Sequence, residues 1–186
     1  MKRILFLCLL LAAGWQSQAQ MEPKSQYGQN IIAFHPVSLI ASNFVGLGAS
    51  YERLVNPMFG IKIPFMVAMN NNYYNIGLEA KLYPSRNTGP VKYAIAPCLM
   101  FGMGTSDETN YIWSGGSYIP QTTSRNASHF GFLLNQTLNI TISHHYYIGA
   151  DGGIGINYYD QNVTNTNGNT HISFAAQLHV AMGYRF

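Results

Sequence analysis

Seven ionisable residues, Glu52, Lys62, Glu79, Lys81, Asp151, His179 and Arg185, carry most of the chemical capacity of this chain. Acids and bases in near balance serve one of two ends: a narrow path for ions or solutes, or mutual neutralisation inside a fold. Other reactive patterns are thinner. His171-Ile-Ser173 has a histidine and a hydroxyl two residues apart, but no carboxylate follows in that segment to orient a base. His144-His145 are adjacent, and His171 and His179 share a parity but stand roughly 26 Å apart along an extended chain. No Cys/His spacing resembles a zinc site, and no cofactor motif is present. Lone Cys98 reads as a small packed residue. Tyr111, Trp113 and Tyr118 lie among Ser, Gly and Thr, the composition of an adaptable recognition loop.

The elements that position these groups are strands. In 171–186, Ile172, Phe174, Ala176, Leu178, Val180, Met182, Tyr184 and Phe186 form one list. His171, Ser173, Ala175, Gln177, His179, Ala181, Gly183 and Arg185 form the other. A period of two is the pleat of a β-strand. The same alternation recurs, giving eight expected strands at 30–40, 43–54, 58–69, 73–84, 92–104, 127–140, 145–159 and 171–186. Segment 30–40 alone is ambiguous, because both its faces are largely apolar. Pro36, Pro64 and Pro97 fall inside strands and predict bulges or local breaks. Expected outer connections are 41–43, 70–73, 105–126 and 160–170, with 105–126 as the long loop. The inner connections are short apart from 85–91.

Residues 1–19 read as a secretory signal. Lys2 and Arg3 precede an apolar run from Ile4 to Ala13, and Ser17-Gln18-Ala19 offers a cleavage site. A short lead, 20–29, would precede the barrel domain, 30–186. Removing Lys2 and Arg3 from the ten basic residues leaves eight against seven acids, a mature net charge of +1. Such a balance excludes a nucleic-acid partner, which needs basic clusters. One cysteine remains after processing, so no internal disulfide holds the exported chain.

Alternating strands fit two kinds of barrel. A soluble one wets its polar face; a membrane one hides it. Only 9% of residues are charged, and the strand-body charges share their face with many glycines. A wet face would carry far more Lys and Glu. A narrow barrel interior suits small residues and compensating charges. The opposite face has no charge at its centre, where a lipid-facing Lys or Arg costs about 2–4 kcal/mol. Tyr51, Phe59, Tyr93, Tyr146, Tyr184 and Phe186 fall near one rim, and Tyr74, Phe130, Tyr158 and Phe174 near the other. Two aromatic bands match two membrane interfaces.

The tail His179-Val-Ala-Met-Gly-Tyr-Arg-Phe186 resembles the C-terminal signal read by the outer-membrane barrel assembly machinery, with Ala181 in place of its usual glycine. Tyr184 and Phe186 are the positions that carry this likeness. The region 28–186 resembles the small OmpA/OmpX-like outer-membrane barrels. Asn30-Ile-Ile-Ala-Phe-His-Pro-Val-Ser-Leu-Ile40 and Gly48-Ala-Ser-Tyr-Glu-Arg53 look like uncharacterised barrels of Bacteroidota-type bacteria. The resemblance implies insertion into the outer membrane of a Gram-negative bacterium and supplies no catalytic residues. His171-Ile-Ser173 is also similar to the His-x-Ser of outer-membrane lipid A deacylases, but Phe174 stands where that family has Asn.

The expectation is therefore an all-β fold: an eight-stranded, antiparallel, up-and-down transmembrane β-barrel. It is a monomer packed with the seven ionisable residues, and not an enzyme. Its role is structural or interactive at the cell envelope, with outer-membrane lipid, the assembly machinery and an unidentified surface ligand or envelope protein as partners. Two alternatives stand beside it: a barrel enzyme acting on lipid A or phospholipid, and a soluble periplasmic calycin-like carrier.

Overall fold

The computed structural model describes residues 28–40, 44–69, 72–84, 89–160 and 172–186. The expected signal segment 1–19, most of the lead 20–29, and the connections 41–43, 70–71, 85–88 and 161–171 lie outside the described residues. Eight strands follow in chain order: β1 (Asn30–Ile40), β2 (Phe44–Asn56), β3 (Phe59–Ala68), β4 (Tyr73–Leu82), β5 (Val91–Ser114), β6 (Ser117–Ile142), β7 (Tyr146–Asp160) and β8 (Ser173–Arg185). Each pairs antiparallel with its sequence neighbour, and β8 pairs with β1 to close the barrel. Closure leaves no wall strand with a free edge along its shared length.

The expected inversion of faces is present. Ile61, Ile63, Phe65, Leu99, Phe101, Phe132, Leu134, Leu138, Leu178 and Val180 point outward and are exposed. Glu52, Lys62, Glu79, Lys81, Asp151, His179 and Arg185 point inward and are buried. The two expected aromatic bands face outward as well, with Tyr184 and Phe186 exposed at one rim and Tyr158 and Phe174 at the other, while Phe59 is half-buried.

β1 resolves its own ambiguity at Pro36. The pairing of β1 with β2 shifts between His35 and Ser38, and that with β8 shifts between Phe34 and Val37. Proline cannot donate to the ladder, so the strand bulges there and its parity flips. Ile31, Ala33 and His35 face in before the bulge, and Ser38 and Ile40 after it. Pro64 and Pro97 act more mildly. Ladder pairing lapses across Ile63–Pro64 in the β3–β4 pair and across Ala96–Pro97 in the β4–β5 pair, and register is the same on either side.

The largest departure from expectation is 105–126. It is no loop. β5 and β6 run on beyond the barrel wall as a two-stranded ribbon, paired without a register break from Val91↔Ile140 to Ser114↔Ser117. Thr105, Thr109, Tyr111, Ile112, Trp113, Tyr118, Ile119, Thr122 and Thr123 are β-branched or aromatic, which suits a pleated ribbon. Gly115 and Gly116 turn it with φ of 62° and 92°. A two-residue turn with both φ positive matches the twist of a hairpin.

Candidate functional site

The barrel interior is built by inward parity on every strand. β2 supplies Glu52 and Ser50, β3 Lys62, β4 Glu79 and Lys81, β6 Asn135 and Asn139, β7 Tyr147 and Asp151, and β8 Gln177, His179 and Arg185. Lys62 donates to Asp151 Oδ2, and its Nζ lies 3.8 Å from Glu79 Oε2. β3 and β7 stand on opposite walls of an eight-strand ring, so this pair crosses the whole lumen. Asn135 Nδ2 donates to Glu79 Oε1 at 2.9 Å, and Gln177 Nε2 donates to Asn135 Oδ1 at 2.9 Å. The chain of contacts therefore links β3, β4, β6, β7 and β8.

A second cluster lies one step nearer the inner rim. Lys81 Nζ donates to Glu52 Oε2 at 2.9 Å, and the Tyr83 hydroxyl donates to Glu52 Oε1. Tyr147 donates to Asn139 Oδ1 at 2.7 Å. His179 pairs in register with Asp151, and its ring meets His35 edge-on at 5.7 Å between centroids. His35 Nε2 in turn contacts the Ser50 hydroxyl at 2.8 Å.

Of the seven predicted interior residues, the structure thus joins Lys62, Glu79 and Asp151 in one cluster, with His179 beside Asp151 in register. Glu52 and Lys81 form another. Arg185 lies near the C-terminal end of β8, where its Nε donates to the Gly28 carbonyl at 2.6 Å. Sequence reasoning missed Lys92, the second residue of β5, which is buried. It also missed His35, hidden by the Pro36 bulge, and the inward row Asn135, Thr137, Asn139 and Thr141. The alternation of that row with Leu134, Leu138 and Ile140 was a usable signal.

Two internal cavities hold about 10 Å³ each, one lined in part by Met66, Tyr73 and Asn75 and the other by Asn75, Cys98, Gln177 and His179. Each is at the lower limit for a single water. Glycine on β7 leaves room for the Asn135 amide of the neighbouring strand: a Cβ at Gly153, its register partner, would overlap Asn135 Oδ1.

Other reactive patterns do not assemble. His144 occupies the inner turn after β6 with φ of 66°, and His145 stacks on Tyr184 with centroids 5.2 Å apart. His171 lies outside the described residues, and Ser173 opens β8 opposite Asn157. Cys98 is a buried free thiol packed with Met100, Leu133 and Ala175. Among the described residues, no three His, Cys, Asp or Glu side chains converge as a metal set.

At the far end of the ribbon, Trp113 faces Tyr118 directly, with ring centroids 4.8 Å apart. Tyr111, next on the same face, lies opposite Pro120. Tyr111, Trp113 and Tyr118 are each more than 60% exposed, which puts the predicted recognition residues together on one side of the tip. At the opposite end, Tyr184 stacks near Phe186 and meets Tyr146 edge-on, and Phe186 exchanges two backbone hydrogen bonds of 2.8 Å with Asn30. The C-terminal aromatic thus sits at the seam that closes the barrel.

No family model and no curated protein sequence matches the chain. Solved structures do. A major outer membrane protein from Thermus thermophilus is 13% identical with a TM-score of 0.56, covering 84% of this chain and 98% of its own. Ail, the attachment invasion locus protein of Yersinia pestis, is 14% identical with a TM-score of 0.51, covering 86% of this chain and 99% of its own. The fold is that of the small outer-membrane β-barrels. At such low identity the likeness extends to architecture alone.

Proposed function

We propose that the chain is an exported, monomeric outer-membrane protein of a Gram-negative bacterium. Its barrel is a closed anchor, and its working part is the β5–β6 ribbon held above the outer surface. The observation that carries this reading is the inversion of faces: ion-paired side chains fill the middle while Ile, Leu, Phe and Val cover the outside. A soluble carrier needs the reverse, an apolar cavity under a wet exterior. Residues 1–19 are the export signal, and the β8 aromatics Tyr184 and Phe186 are the handle for barrel assembly. The role is structural or interactive rather than enzymatic, since the ionisable groups are engaged with one another deep in the lumen. The ribbon extends beyond the wall with an exposed Trp–Tyr pair at its tip, which suits contact with an envelope protein or a surface ligand.

Membrane fractionation together with heat-modifiable gel mobility tests the anchor. The barrel should partition with outer membranes and migrate faster unboiled than boiled. A chain recovered in the periplasmic fraction overturns the proposal. Deleting 108–122 tests the ribbon: the barrel should still fold while attachment to its surface partner is lost. Attachment that survives the deletion strips the ribbon of that role.

A further inference from the structure

On the outer face of β4, β5 and β6, register defines three successive rows. Ile76, Phe101 and Phe130 form the first, Tyr74, Met103 and Ser128 the second, and Asn72, Thr105 and Asn126 the third. The Thr105 N–H donates to the Asn72 carbonyl at 3.1 Å, which holds the third row together. From the first row to the third the surface changes from wholly apolar, through the mixed row of Tyr74, Met103 and Ser128, to wholly amide and hydroxyl. Ser128 is small where Phe130 and Phe132 follow it on the same face of β6, so a notch opens. It is an open depression with a volume of about 480 Å³, lined by Asn72, Tyr74, Met103, Gly104, Thr105, Asn126 and Ser128.

We propose that this notch is a binding site for the uncharged, hydroxyl-rich head of an outer-leaflet glycolipid. The inference rests on the outer-membrane reading above. Its lining is ordered as an amphiphile is ordered. Tyr74 and Met103 lie on the hydrocarbon side, continuous with the Phe101–Phe130 ridge that an acyl chain would follow. Amide and hydroxyl groups lie on the water side. Among the described lining residues only the Tyr74 phenol is ionisable, so they offer hydrogen-bonding groups and no charge to a headgroup. Amides and hydroxyls pair with sugar hydroxyls, and an aromatic ring at the edge offers a face to the sugar.

The test uses the full mature chain folded in detergent and charged with an equimolar mixture of monogalactosyl diacylglycerol and phosphatidylcholine of the same acyl chains. Native mass spectrometry reads the lipid retained. The wild type should favour the galactolipid by about tenfold, the scale of one or two net hydrogen bonds. Ser128→Trp fills the notch and should abolish the preference. Leu134→Trp, lower on the same outward face of β6, should keep it, and heat-modifiable mobility verifies that each variant is folded. Equal retention of both lipids by the wild type, or an undiminished preference in Ser128→Trp, overturns the site while leaving the membrane reading intact. A chain that is compact and dispersed without any amphiphile overturns both.

Discussion

Replacing Lys62 with Met isolates the contact that spans the lumen. Asp151 and Glu79 are fully buried, and Lys62 touches both. Methionine has similar length and no charge, so the variant keeps the volume and leaves two acids facing each other. Glu79 still accepts from Asn135, but Asp151 loses its ammonium partner. Breaking a buried pair from one side costs about 3–5 kcal/mol. With a urea slope of about 2 kcal/mol per M, the unfolding midpoint in detergent micelles should fall by roughly 2 M. The double variant Lys62→Met/Asp151→Asn removes the orphaned charge and should recover more than half of that loss, because a neutral pair of similar size is nearly as well tolerated as the ion pair. The midpoint is read by heat-modifiable gel mobility after equilibration in urea. A single-variant shift under about 0.5 M would mean that the acids are hydrated and the lumen is not packed. A double variant no better than the single one would show that charge is not the cause of the loss.

Gly153→Val should place a side chain on Asn135, displace its hydrogen bonds to Glu79 and Gln177, and destabilise the barrel by about 1–3 kcal/mol, seen in the same urea titration. Removing Phe186 should deplete the protein from outer membranes in cells, by quantitative blotting, while urea-unfolded chain still refolds into detergent. Planar-bilayer recordings of the purified barrel should show no sustained large-conductance openings, since an eight-strand barrel is filled by its side chains; porin-like steps would contradict the sealed interior.

Much of this architecture is legible because a period of two is strict wherever one face is buried. The alternation in β8 places Gln177, His179, Ala181 and Arg185 inside, and that in β7 places Asp151 inside. Parity names the face but not the partner. Lys62 and Asp151 are 89 residues apart on opposite walls, and only strand tilt and stagger set them at one height. β1 defeats the pattern because Pro36 inserts a bulge, so its inward residues change from odd to even positions. The ribbon defeats it differently: Ser, Gly and Thr read as loop composition, yet the Thr, Tyr and Ile among them pair across the two strands, and Gly115-Gly116 turn them tightly.

A membrane-spanning barrel must rest its outward face in acyl chains, and a single tryptophan placed on that face reports this directly. In a mature chain carrying Trp113→Phe and Leu134→Trp, the new indole replaces an exposed leucine near the middle of the β6 wall. Vesicles of phosphatidylcholine brominated along the acyl chains should quench its emission strongly relative to unbrominated vesicles. Emission unchanged by bromine, with a water-exposed spectrum, would contradict the membrane-spanning barrel.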